Sequence, residues 1–119
     1  MKRFPRKLRV SPVESGDYWR LNDFFVYISK KNGSIFVPKG FKTNFASVPK
    51  IFRNIVEPWG KHGKAAVVHD YLYSKKLFER KKSDKIFLEI MEYCGVGWLK
   101  RHLMYRLVRL FGGGYYGKD

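Results

Sequence analysis

The sequence is short of acid, nearly free of cysteine and without any long apolar run. Asp and Glu number 10 against 25 Lys and Arg, giving a formal net charge of +15. That excess favours a polyanionic surface (nucleic acid, anionic membrane or acidic protein) without choosing among them, and plain solubility with loose electrostatic attraction explains it as well. Cys94 stands alone, so no internal disulfide can form. A fold without staples fits a reducing compartment or a particle assembled in one. No segment reaches the ~20 uninterrupted apolar residues of a spanning helix. The basic start MKRFPRKLRV is followed by no apolar stretch, so neither a signal peptide nor a transmembrane helix is expected. Internal repeats and dividing linkers are absent too, which points to a single domain over 1–119, with a basic arm at about 1–9 and a loose, Gly-rich tail at about 112–119.

What is present suffices for a core: 45% of the 119 residues are hydrophobic and 18% aromatic. The first half reads as strands. A short one is expected near Leu8–Val10 and another at Tyr18–Leu21. The clearest β signal is Phe24–Ile28, joined through the Asn32-Gly33 turn to Ser34–Val37, with Pro38 and Gly40 ending the sheet. A connector, 40–49, leads to a short helix at Lys50–Val56. Longer helices are expected at about Lys64–Lys76, Ser83–Tyr93 and Trp98–Phe111, the last stopped by Gly112-Gly113-Gly114. Strands first and helices second predict an α+β fold, a small antiparallel sheet packed on three main helices.

One acid stands where a core residue belongs. Asp84 shares a helical face with Phe87, Leu88 and Met91, so burying those three draws the carboxylate inward. A buried carboxylate costs several kcal/mol unless paired, on the order of the penalty for any isolated buried ion. The preceding helix offers a partner, because His62, Ala66, His69 and Tyr73 fall on one stripe. Asp84 would take the proton of one His69 nitrogen and leave the other as a base for water or a hydroxyl, with Tyr73 donating to the carboxylate. A structural clamp at a helix crossing, or an acid stabilising a helix N-terminus, explains the same spacing, and both readings stay open. Asp70 lies about 100° round the helix from His69, so the two diverge. It would suit a hard-oxygen calcium site with loop carbonyls, while His62, His69 and Asp84 would make a zinc-like set. Thr43, Asn44 and Ser47 lie in the connector, as backbone-capping groups or near the site; Ser47 as a nucleophile lacks a Gly-x-Ser-x-Gly elbow.

The motifs Gly40-Phe41-x-Thr43-x-x-Ala46-Ser47-Val48-Pro49, Ala65-Ala66-x-x-His69-Asp70-x-Leu72-Tyr73 and Ser83-Asp84-x-x-Phe87-x-x-x-Met91 occur in order. In this they resemble an uncharacterised family of small phage and prophage proteins. The resemblance implies a virion or host-cytoplasm location and other virion proteins as partners. Asn44 stands where the family pattern carries aspartate, removing an acid from that loop. The His-Asp-x-x-Tyr unit with a downstream Asp also resembles the helix pair of phospholipase A2, most closely the disulfide-free viral capsid enzymes. That likeness implies His69 as general base, Asp70 as calcium ligand, and Tyr73 with Asp84 as support. The glycine-rich calcium loop of those enzymes is replaced here by Pro49-Lys50-Ile51-Phe52-Arg53.

The last helix separates into an apolar side (Leu103, Met104, Leu107, Val108, Leu110, Phe111) and a polar one (Arg101, His102, Tyr105, Arg106, Arg109). Lys75, Lys76, Arg80, Lys81, Lys82 and Lys85 form a second basic cluster. Arg101, Arg106, Arg109, Lys75, Lys76, Lys81 and Lys82 are therefore the candidate polyanion contacts. Two functions are expected to compete: a phage accessory or virion-associated protein with a hydrolase-type His-Asp site, and a non-enzymatic tail, connector or capsid component that uses its basic faces.

Overall fold

Alternation of aromatic and β-branched residues decides the first half of the chain. The structure, a computed structural model, describes residues 3–13, 18–43, 63–114 and 116–117. It divides into two units, Met1–Asn44 and Phe45–Asp119. The first holds strands β1 (Val10–Pro12), β2 (Trp19–Leu21), β3 (Phe25–Ser29), β4 (Gly33–Val37) and β5 (Lys42–Thr43). The second holds helices α1 (Gly63–Lys75), α2 (Arg80–Tyr93) and α3 (Trp98–Phe111), and then a 3-10 turn at Gly112–Gly114. Strands precede helices in an α+β order.

β3 and β4 form an antiparallel hairpin in which Phe25 faces Val37 and Tyr27 faces Ile35, all four buried. Every second residue of β3 points inward, as a pleated strand with one covered face requires. Gly33 turns the hairpin at a positive φ of 75°, which a side chain would resist. The other sheet has the order β1-β2-β5, all antiparallel. Here the strands extend past the expected end at Gly40: that residue takes a φ of 89° and sends Lys42–Thr43 back along β2. Two residues are too few to show a period, so the sequence carried no signal for β5. The first strand sits at Val10–Pro12 instead of Leu8–Val10.

The basic arm is partly docked. Ile28 N–H donates to Arg3 O at 2.8 Å, and the Arg3 guanidinium donates back to Ile28 O at 3.0 Å. The Phe4 ring lies 5.1 Å from Phe25 and 5.0 Å from Tyr27. Arg6 pairs with Asp23 and lies 4.0 Å above the Phe24 ring.

In the helical unit α2 packs against both α1 and α3. Ala65, Ala66, Val67, Val68, Leu72, Phe87, Ile90, Met91, Met104 and Val108 are all buried. Each large side chain among them contributes roughly 1.5–3 kcal/mol by leaving water. Leu88 is only half-buried, unlike its face-mates Phe87 and Met91. Lys76, at a φ of 50°, ends α1, and Gly95, at 82°, ends α2 with Val96 N–H returning to Met91 O. α2 begins at Arg80, ahead of the expected Ser83, because Arg80, Lys81 and Lys82 are all basic and so carry no apolar period.

α3 has the expected bounds but not the expected face. Only Met104, Leu107 and Val108 are buried; Leu103, Leu110 and Phe111 are exposed. Contact with α2 needs only a narrow stripe, and Leu103 and Leu110 lie about 100° or more round the helix from its centre. Tyr116 and Gly117 are tied to the helical unit. Tyr116 O–H donates to Phe78 O at 2.7 Å and Gly117 N–H to Tyr73 O at 2.8 Å. The expected helix at Lys50–Val56, and Asn44, Ser47 and His62, lie outside the described residues. Thr43 is buried in β5.

Candidate active site

Asp84 is fully buried in α2, on the face that also buries Phe87 and Met91. Three side chains from the two flanking helices meet it. His69 Nε2 of α1 lies 2.7 Å from Asp84 Oδ1, and Tyr73 O–H donates to the same oxygen at 2.5 Å. Arg109 of α3 donates to Oδ2 at 2.7 Å. Both carboxylate oxygens are thus engaged. Around this centre Arg80 forms an outer tie: its Nε donates to the Tyr73 hydroxyl at 3.2 Å, and its guanidinium donates to Val108 O at 2.8 Å and to Arg109 O. Those carbonyls belong to the last turn of α3, where the negative end of the helix dipole favours a cation; Val108 O also accepts from Gly112 N–H.

The electrostatics follow from the geometry. Burial by itself pushes the Asp84 carboxyl upward, but the hydrogen bonds from His69, Tyr73 and Arg109 outweigh it and hold the group below the usual carboxylate range. Burial, reinforced by the bond to Asp84, moves the Tyr73 phenol well above its ordinary value, so it stays a neutral donor. The bond to Asp84 likewise raises Arg109, keeping it charged. An ionised carboxylate only accepts, so Nε2 of His69 carries the proton in that contact. The imidazole ring lies 4.1 Å from the Tyr73 ring and 4.7 Å from the Phe87 ring. Its other nitrogen, Nδ1, is buried and has no hydrogen-bond partner among the described residues. In the neutral ring that nitrogen presents a lone pair.

The structure brings His69, Asp84 and Tyr73 together. Asp70, adjacent to His69, is buried on α1 and has an interaction of its own. Among the described residues, no three His, Cys, Asp or Glu side chains gather to hold a metal. Burial raises the Cys94 thiol, which makes it a poor nucleophile.

Arg109 has a partner that helical spacing did not indicate: its side chain, one third exposed, reaches back from the outer basic face to pair with Asp84. Arg80 is likewise turned inward from the second cluster. A flexible cation reads as surface in any sequence; the only hint was the unmatched acid at Asp84. Of the remaining candidates, Lys75, Lys81 and Arg106 are exposed. Lys82 lies 4.6 Å above the Phe78 ring, Lys76 lies 5.5 Å from the Tyr116 ring, and Arg101 donates to Val96 O at 3.1 Å.

Residues 19–108, most of the chain, match the family described as protein of unknown function (DUF1353). No curated protein and no solved structure matches the chain.

Proposed function

We propose that this chain, which belongs to the DUF1353 family of proteins of unknown function, is a phage-encoded accessory or virion-associated protein with a hydrolase-type histidine site. The phage setting rests on the three ordered motifs around Thr43, His69 and Asp84. The chemistry rests on one observation: Asp84 fixes Nε2 of His69 while Nδ1 is left with an unused lone pair among the described residues. An imidazole held in that tautomer takes a proton from water at Nδ1, and the resulting positive ring lies against the Asp84 carboxylate. Tyr73 and Arg109 keep that carboxylate ionised and oriented. The phospholipase A2 likeness of the His69-Asp70-x-x-Tyr73 unit suggests an ester of phospholipid as the substrate. His69 is fully buried, so turnover requires an opening that admits water to Nδ1. Fatty-acid release from phospholipid vesicles, with and without calcium, tests the reading. His69→Ala should lower the rate about 10²–10⁴-fold, the usual contribution of a general base. A wild-type rate no higher than that of the variant overturns it.

A second reading has its own support. The complete burial of His69 and Asp84, with both carboxylate oxygens used, also suits a clamp inside a non-enzymatic virion component. Its exposed cations would contact nucleic acid, anionic membrane or acidic neighbours. Affinity for DNA and for anionic vesicles across a salt series tests it, and absent or salt-insensitive binding to both removes polyanion contact.

A further inference from the structure

α3 carries Lys100, Arg101, Arg106 and Arg109 and no carboxylate, yet its solvent side is not simply polar. With Met104, Leu107 and Val108 turned inward, Leu99 (76% exposed), Leu103 (43%) and Leu110 (74%) lie open. Their spacings of four and seven residues place them in one stripe, which also includes exposed Arg106. Trp98 (65%) and Phe111 (45%) stand exposed at the two ends of the helix. Both aromatics lie about 100° or more round the helix from that stripe. Singly exposed apolar residues are ordinary in proteins; an aligned row of three leucines marks a surface for a partner.

We infer that this face of α3 docks on an anionic lipid surface, lying in the interfacial plane with its leucines inserted and its cations at the headgroups. The inference is independent of the hydrolase reading. An aliphatic stripe with Lys100 and Arg106 beside it is the combination an interfacial helix needs. The net charge of +15 supplies long-range attraction to anionic headgroups. Nucleic acid offers the charge but nothing apolar to receive three leucines. A second copy offers apolar surface but brings another +15 against the first. An acidic protein groove supplies both, and leucine-dependent binding to soluble polyglutamate in place of vesicles would mark it.

Co-sedimentation of the full chain with vesicles tests this, comparing phosphatidylcholine–phosphatidylglycerol mixtures with phosphatidylcholine alone. The wild type should bind the anionic vesicles and be weakened by salt. Leu99→Gln with Leu110→Gln keeps good helix formers at exposed positions, and should lower partitioning at least about tenfold with an unchanged circular dichroism spectrum. Should the pair alter helix content, Leu99→Gln alone is read on the same scale. Binding that survives the leucine substitutions, or no binding to anionic vesicles, overturns the inference. So does a leucine-dependent dimer in sedimentation equilibrium, or leucine-dependent binding to soluble polyglutamate, when vesicle binding is absent.

Discussion

Asp84 carries a charge that no solvent reaches, so its partners determine what it does to stability. Replacing it with alanine leaves Arg109 and the imidazole without their acceptor. Urea unfolding should show a loss of about 3–5 kcal/mol, as when one member of a buried pair is removed. The pH dependence has a definite sign. A carboxyl whose folded-state value is depressed adds stability that is present above its unfolded value, near ~3.9, and is lost as pH falls through the lower folded value. Acid melts should therefore retain this contribution at pH 5 and lose it only in the strongly acidic range, and Asp84→Asn should flatten that limb of the profile. The His69–Asp84 contact was legible because an acid on the Phe87 and Met91 face must enter the core, and an imidazole N–H on the neighbouring helix is a natural donor to it. The Arg109 and Arg80 contacts were not legible. Nothing in helical spacing distinguishes a cation that reaches inward from one that stays in water.

The 3-10 turn after α3 comes close to Tyr73 of α1 at a point where a side chain is missing. A Cβ on Gly112 would sit 2.7 Å from the Tyr73 hydroxyl, whereas one on Gly114 would meet nothing within 4 Å. Gly112→Ala should therefore lower thermal stability by about 1–3 kcal/mol, the scale of an overpacked contact. Gly114→Ala should stay within about 0.5 kcal/mol of wild type. Equal effects of the two substitutions would contradict the close approach. The glycine run was readable as a helix stop, but not which glycine also makes room for Tyr73, since that depends on a contact across 39 positions of chain. The long periodic elements were readable for the opposite reason. The β3–β4 hairpin and the three helices each repeat their burial pattern several times, while β5 has two residues and repeats nothing. α3 shows the limit of a pattern: leucines at helical spacing foretell a helix, not that every leucine is covered.

For the whole molecule, +15 over 119 residues makes association with any polyanion a function of ionic strength. Raising salt from 50 to 200 mM should weaken binding to DNA or anionic vesicles, about 10³-fold or more if six or more phosphates are contacted. Because the Arg109 guanidinium is held by Asp84, Arg109→Gln should leave that salt slope nearly unchanged while reducing the melting temperature, and Arg106→Gln should do the reverse. The Asp84 carboxylate also bears on how the helical unit comes apart. It takes hydrogen bonds from His69 and Tyr73 of α1 and from Arg109 of α3, so neither outer helix can detach while α2 stays folded without baring a charge that has lost a partner. Such a junction couples local openings. Amide protons in the middles of α1, α2 and α3 should exchange through one shared opening with a common free energy, and Asp84→Asn should split that single step into separate ones.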